Sequence, residues 1–502
     1  MRRHTYSLSR RHMTTASMGY LYPLACYEVL PGDTFRSAAR AFCRANALVA
    51  PLLSRLKMSV DHWYVPNRIT FPEWEKFITG ADRGVNLPLV NAITESDDSL
   101  LTRMGAKQEA GKKYMALPIL AYNAIWSEHY RDRDIQDELD YTASSGDVIQ
   151  TNDDRYAIRK VNWSKDYFTS ARTEAQQGSA VSLALGSGKL KGMAMLASNA
   201  RSNASAYTSE KAKAFSSKTS YSFSGETEQW PHGWHQLTSD DSGTSLRIKA
   251  AGNTAAHGVD VGMETNPIDI RDLRLAFAQQ RFAEARARWG ERYEDYLMYL
   301  GVKPMDSRLQ HPEHLGGGSA NMTFSEVVAT DYGDDGANLG KFGGHGVGVL
   351  SHRPYKAFFP EHGYIISVFT LRPKAIYMHG VDRTFLRRSH EDYWQKELEG
   401  IGPQAVHTRE LWADASDGSQ FGYAPRYQEY RESRDWVSGA FLGSTYDDWH
   451  LGRNFSGEPT LNSSFLECNP DSRIFQDAGA PQFLVDAALQ TRAGRLVGRE
   501  QR

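Results

Sequence analysis

Tyr364–Leu371 reads YIISVFTL and is stopped two residues later by Pro373. As an extended strand it is apolar on both faces, and proline cannot donate to a sheet ladder, so the stretch carries the mark of a buried strand. Working outward, Met58–Val65 (MSVDHWYV) reads as another strand, ended by Pro66. Residues 72–78 (PEWEKFI) fit a short helix with proline in its first turn. Leu30-Pro31-Gly32-Asp33 reads as a turn that hands Asp33 or Thr34 to a helix start. Short strands separated by long connections, with no internal repeat, imply a mainly β fold with helical excursions but choose no topology.

Composition then divides the chain. Residues 1–27 contain no acidic side chain but hold Arg2, Arg3, Arg10 and Arg11, which reads as a flexible basic arm. From 28 to about 140 the chain is dense, and from 266 to 502 it is dense and rich in aromatics. Between them, at about 140–265, the composition shifts. Residues 179–220 carry Lys189, Lys191, Arg201, Lys211, Lys213 and Lys218 against the single acid Glu210, with weak hydrophobic periodicity. The expectation is an exposed, irregular insert that interrupts one domain spanning 28–502.

The 58 basic and 60 acidic side chains nearly cancel to a formal charge of −2, so no global polycation announces nucleic acid. Eleven Trp, 25 Tyr and 21 Phe suit aromatic-anchored interfaces as well as cores. Three cysteines, Cys26, Cys43 and Cys468, argue for a reduced, cytosolic folding compartment and against a disulfide framework or structural zinc. No run approaches the length of a membrane span, and MRRHTYSLSRRH has no hydrophobic stretch behind its charges.

The catalytic inventory is thin. The sequence contains no Gly-x-Ser-x-Gly, His-Glu-x-x-His or Cys-x-x-Cys. Gly186-Ser187-Gly188-Lys189 lacks the first glycine of a phosphate loop, and Leu190 stands where a hydroxyl should meet magnesium. Gly343-Gly344-His345-Gly346-Val347-Gly348 precedes no helix and reads as a flexible connection. Of the two His-x-x-His pairs, Pro231 and Gly233 surround His232/His235, and Pro312 interrupts His311/His314, so hydrogen-bonded coil histidines are expected over metal ligands. Acid pairs such as Asp240/Asp241, Asp334/Asp335 and Asp447/Asp448 are common loop chemistry. No cofactor is expected.

Residues 267–319 begin as a long helix. Leu275, Phe282, Trp289, Tyr293, Tyr296 and Leu300 form an apolar stripe, and Arg274, Arg281, Arg288 and Arg292 precede four of them as a parallel row of guanidinium groups. Glu284 lies four residues before Arg288, in the favourable order for an ion pair. Such a helix is either a solvated surface element or one that buries its aromatics and offers arginines to a neighbouring subunit or a polyanion.

The string LRLAFAQQRFAEARARWGERYEDYL, followed by GVKPMDSRLQHPEHLGG, resembles a signature block of the major capsid proteins of microviruses, small icosahedral single-stranded-DNA bacteriophages. Blocks at 28–80, 380–412 and 427–475 are similar to the same family in the same order. The resemblance implies an eight-stranded antiparallel jelly roll, a β-sandwich with long inserted loops and helices. It implies no enzymatic activity, but self-assembly into a T=1 icosahedral virion shell around circular single-stranded DNA, built in the bacterial host cytoplasm. Minor, vertex or DNA-binding phage proteins would be further partners. In relatives, an insert at a comparable place forms protrusions at the threefold axes, so the 140–265 region is expected to meet a host surface receptor. Within such a shell, Arg2, Arg3, Arg10 and Arg11 would contact DNA or clamp a neighbouring subunit. The rival readings, a carbohydrate-active enzyme on a β-sandwich or a ligand-binding jelly roll, account for the aromatics but not for the arginine row or the four ordered blocks.

Overall fold

The computed structural model describes residues 3–176, 235–239, 246–250, 257–258, 270–289, 310–330 and 340–498. Two compact units emerge, Met1–Gly178 with Ala283–Arg502, and Ser179–Phe282. The larger unit is mainly β. Its principal strands are β1 (His4–Ser7), β2 (Arg10–Ala16), β3 (Leu21–Val29), β4 (Asp33–Ala45), β5 (Leu56–Pro66) and β6 (Glu313–Asn321). They continue with β7 (Thr323–Val328), β8 (Phe342–Ser351), β9 (Tyr355–Phe359), β10 (Gly363–Pro373) and β11 (Phe483–Arg495).

These strands make two antiparallel sheets. The four-stranded sheet runs β6-β5-β10-β3. The seven-stranded sheet runs β1-β11-β4-β8-β7, with β2 beside a further stretch of β11 and β9 beside a further stretch of β4. Both sheets contribute to one core: Leu56, Met58, Val60, Ile365, Phe369 and Leu371 from the first meet Phe35, Ala39, Ala41, Phe483, Val485 and Ala487 from the second. Alternate residues of β10, Tyr364, Ile366 and Val368, point the other way into a second cluster with the helix Leu117–Ile125, which contributes Leu117, Ile119, Leu120 and Tyr122. The four-stranded sheet is therefore covered on both faces, as the apolar run at 364–371 predicts. Among the described residues, only one face of the seven-stranded sheet is occupied this way.

Four expectations change. The segment after Gly32 is a strand, not a helix: Gly32 turns the chain with φ +84°, and Asp33 accepts from the Leu30 amide at 3.0 Å. The basic arm is not free between residues 4 and 16, because β1 and β2 pair with β11 and so satisfy their backbone groups in the sheet. Residues 140–176 belong to the larger unit, where Tyr156, Val161, Trp163, Tyr167 and Phe168 are buried. Within Ser179–Phe282, His235–Ser239, Leu246–Ala250 and His257–Gly258 form a small antiparallel sheet, while Lys189, Lys191, Arg201, Lys211, Lys213 and Lys218 lie outside the described residues. Finally, the glycine-rich 343–348 stretch is the body of β8. A Cβ at Gly344 would lie 2.4 Å from the Ala50 carbonyl oxygen, and one at Gly346 would lie 2.6 Å from the Phe324 ring. These glycines serve close packing rather than flexibility.

Candidate functional site

β4 alternates strictly. Phe35, Ser37, Ala39, Ala41 and Cys43 face the core, while Arg36, Arg40, Phe42 and Arg44 face out. On β11 the inward set is Phe483, Val485, Ala487 and Leu489, and Leu484, Gln490 and Arg492 are exposed. The register places Arg36 opposite Lys356 of β9 on one side and opposite Arg492 of β11 on the other. Three cations thus stand in one row across three adjacent strands, at the roughly 5 Å spacing of directly opposed side chains, an arrangement that repels. Arg40 lies between Ser351 and Ala488, and Arg44 lies between Val347 and Leu484, so neither meets an acid across the ladder.

Asp486 is the one acid on the outward side of β2, β4, β8, β9 and β11, and it is already engaged. Arg11 grips it with two bonds of 2.7 and 2.5 Å, which hold the Asp486 carboxyl below the usual carboxylate range. Arg36, Arg40, Arg44, Lys356 and Arg492 have no ion-pair partner among the described residues. Interspersed with them are exposed apolar groups, Phe42 at 44% and Phe358 at 54% of full exposure, with Val349, Leu484 and Met13 nearby. The arrangement can bind anionic oxygens through forked donors and flat rings through aromatic faces.

The structure separates the residues grouped as a basic arm. Arg2 lies outside the described residues. The Arg3 guanidinium sits 5.2 Å from the centre of the Phe358 ring, at the border of the cationic face. Arg10 turns inward, donating to the Cys26 carbonyl at 2.9 Å and lying 4.4 Å from the Tyr27 ring centre. Of the neighbours Arg10 and Arg11, only Arg11 is on the outward side, and there it neutralises Asp486. The larger set, Arg36, Arg40 and Arg44, was missed because FRSAARAFCRA is rich in alanine, which reads as helix. Its period of two, with arginine at every fourth position, was the available signal.

The helix at 267–319 is present as Ile270–Trp289, with Arg274 and Arg281 exposed. The Arg288 side chain and Arg292 lie outside the described residues, as do Tyr293, Tyr296 and Leu300. Leu275 and Phe282 of the apolar stripe are about half exposed, as is the neighbouring Phe277, so the described residues do not bury this part of it.

The histidine pairs do not converge. His311 approaches Glu128 at 3.5 Å, whereas His314 approaches Asp61 at 3.4 Å and lies against Trp63. His235 opens a strand, and His232 is outside the described residues. Among the described residues, no group of three or more His, Cys, Asp or Glu side chains is placed to hold a metal ion. Cys26, Cys43 and Cys468 are free thiols, and burial raises each to about 12. Among the described residues, no helix is long and apolar enough to cross a membrane.

Two sheets on a shared core, with exposed rings and cations that lack ion-pair partners among the described residues, are features of a protein that works through its surfaces. Residues 1–498 match the family described as capsid protein (F protein), and the chain belongs to that family. It is 28% identical to capsid protein VP1 of Chlamydia phage 1, over 97% of this chain and 93% of that protein. Similarity extends to capsid protein VP1 of Bdellovibrio phage phiMH2K, at 27% identity over 89% of this chain and 85% of the relative. Capsid protein VP1 of Spiroplasma virus 4 matches at 25% identity over 95% and 90%. The chain is a structural major capsid protein of the single-stranded-DNA phage type, a component of the virion that assembles into its shell.

Proposed function

We propose that this chain forms an eight-stranded jelly roll, and that its copies close into a T=1 icosahedral shell around a circular single-stranded DNA genome. The strand order carries the reading. Taking β2, β3, β4, β5, β6, β8, β10 and β11 as first to eighth, the first pairs with the eighth, the second with the seventh, the third with the sixth and the fourth with the fifth. Nested antiparallel pairs of this kind form one long ribbon folded into two sheets. β1, β7 and β9 lengthen or flank the sheet that contains β4 and β11.

In this reading the chain's role is mechanical rather than enzymatic. The lateral contacts are modest individually and summed by closed symmetry. The exposed helix face with Arg274 and Arg281, continued in sequence by Arg288 and Arg292, is a subunit contact. Assembly takes place in the bacterial host cytoplasm together with minor, vertex or DNA-binding phage proteins. The insert at about 140–265, cut back to the part beyond residue 178, meets a host surface receptor, a reading supported by its polar composition.

Electron microscopy of the purified chain, and of cells producing it with its neighbouring phage proteins, tests the reading. Uniform small icosahedral particles are expected. Monomers or small oligomers under both conditions would overturn it.

A further inference from the structure

We infer that the outward face of the seven-stranded sheet is a docking surface for single-stranded nucleic acid, gripping phosphates through Arg36, Arg40 and Arg44 and stacking bases on Phe42. The inference rests on the shell reading and adds the surface that meets the genome.

Charge is the first argument. The whole chain carries −2, yet Arg36, Arg40, Arg44, Lys356 and Arg492 share one sheet face without an ion-pair partner among the described residues. The row Lys356–Arg36–Arg492 sets like charges in direct register, which costs stability unless an external polyanion intervenes. A second copy presenting the same face would place cation against cation. Each phosphate that is neutralised releases a counterion, so a polyanion gains from this row.

The rings are the second argument. Phe42 stands between Arg40 and Arg44 on the same strand face, and Phe358 lies two residues from Lys356. Both rings are about half exposed. A duplex keeps its bases inside and has nothing to lay on these rings, whereas a single strand offers a π-face at every nucleotide. Coverage is the third argument. The opposite sheet is buried on both sides, by the shared core and by the Leu117–Ile125 helix cluster, so it has no comparable open face to offer.

The test uses purified full-length chain in its unassembled form, taken from dissociated shells wherever shells form, and a fluorescent oligo-dT, with a duplex of equal length as comparator. Fluorescence anisotropy at several salt concentrations gives the affinity and its salt slope. Wild type is expected to bind the single strand more tightly than the duplex. Replacing all three arginines together (R36A, R40A and R44A) should reduce the magnitude of the salt slope by about 2 and weaken binding about 100-fold near 0.1 M salt, from the loss of three single-strand phosphate contacts. The matching lysine variant (R36K, R40K and R44K) should keep the slope. Phe42→Ser should weaken single-strand binding about tenfold or more without changing the slope.

A thermal melt checks that each variant folds, as outward substitutions should. An unchanged salt slope in the folded alanine variant overturns the proposal. So does a folded alanine variant that binds oligo-dT normally but no longer forms particles, because the face would then be a contact with another copy. Wild-type chain that binds as expected yet never forms particles would sink the shell reading and leave the docking surface standing.

Discussion

β10 and β4 are both interior strands of their sheets, yet they spend their side chains differently. β10 is buried on both faces: Ile365, Phe369 and Leu371 enter the core between the sheets, and Ile366 and Val368 enter the helix-covered cluster. β4 buries one face only, largely with small residues such as Ala39 and Ala41, and presents arginines on the other. The small inward residues of β4 and β11 leave room for the larger side chains of β10 and β5, the large-against-small fit of a filled interior. A strand enclosed on both faces can only stabilise. A strand enclosed on one face can carry a surface function at little cost to the fold.

The largest effect should come from the enclosed strand. Phe369→Ala removes a ring with no exposed surface and should cost about 3–5 kcal/mol, and Ile366→Ala on the opposite face about 2–5 kcal/mol. Denaturant midpoints of the purified chain measure both losses. If either variant kept the wild-type midpoint, that face of β10 would not be packed as described. Gly344→Ala tests β8, which borders β4. Its new Cβ would lie 2.4 Å from a backbone oxygen and 2.9 Å from Leu48 Cβ, so a loss of about 1–3 kcal/mol is expected. Tolerance of alanine there would return this stretch to the status of a flexible loop.

The same contrast explains what could be read from sequence. YIISVFTL and MSVDHWYV were legible because continuous apolarity bounded by proline has few other meanings, and they appear as the bodies of β10 and β5. FRSAARAFCRA was not legible as a strand, because alanine favours helix and the β period is carried by arginine rather than by large apolar groups. The arginines at 10 and 11 were visible as a basic cluster, but their opposite fates depend on β2 alternating across β11, a long-range pairing with the far end of the chain. The glycines of β8 resembled a loop since their purpose, close contact with Ala50 and Phe324, exists only after folding. Family resemblance supplied the capsid class, which composition alone did not.

A third measurement joins the two sheets. His352 Nδ1 lies 2.7 Å from the Arg353 carbonyl oxygen, so it carries the proton, and its Nε2 is left to accept from the Ala39 amide of β4 at 3.0 Å. The same Nε2 meets His62 Nε2 at 2.8 Å, which makes His62 the donor there, and the His62 Nδ1 meets Ser367 Oγ of β10 at 2.7 Å. With its Nε2 proton given to His352, the His62 ring is neutral when Nδ1 accepts from Ser367 and charged when Nδ1 donates to it, and burial favours the neutral form. Burial, followed by the neighbouring His352, pushes His62 down from its ordinary value of 6.5 to about 3. The unfolded chain therefore binds this proton more readily than the folded one, so the stability tied to neutral His62 is complete above about pH 6.5 and is lost as pH falls toward about 3. Denaturant midpoints across that range should fall more steeply for wild type than for His62→Gln. Parallel curves would remove this link between the sheets from the account of acid sensitivity.

The smallest expected effect is the most pointed. Arg36→Ala deletes an exposed side chain from the strand that shares most of its length with β11, where a buried residue would be indispensable. Because Arg36 stands between Lys356 and Arg492, its removal relieves repulsion and should leave stability unchanged or raise it, by no more than about 0.5 kcal/mol. Low salt should enlarge the gain and high salt should abolish it, since screening weakens repulsion between exposed charges. A loss of more than about 1 kcal/mol would lie outside that surface range and mean that Arg36 has a partner in the folded chain and is not held in reserve for an external anion. A small, salt-sensitive gain instead marks a position kept at the expense of the fold, the physical signature of a residue retained for what it binds.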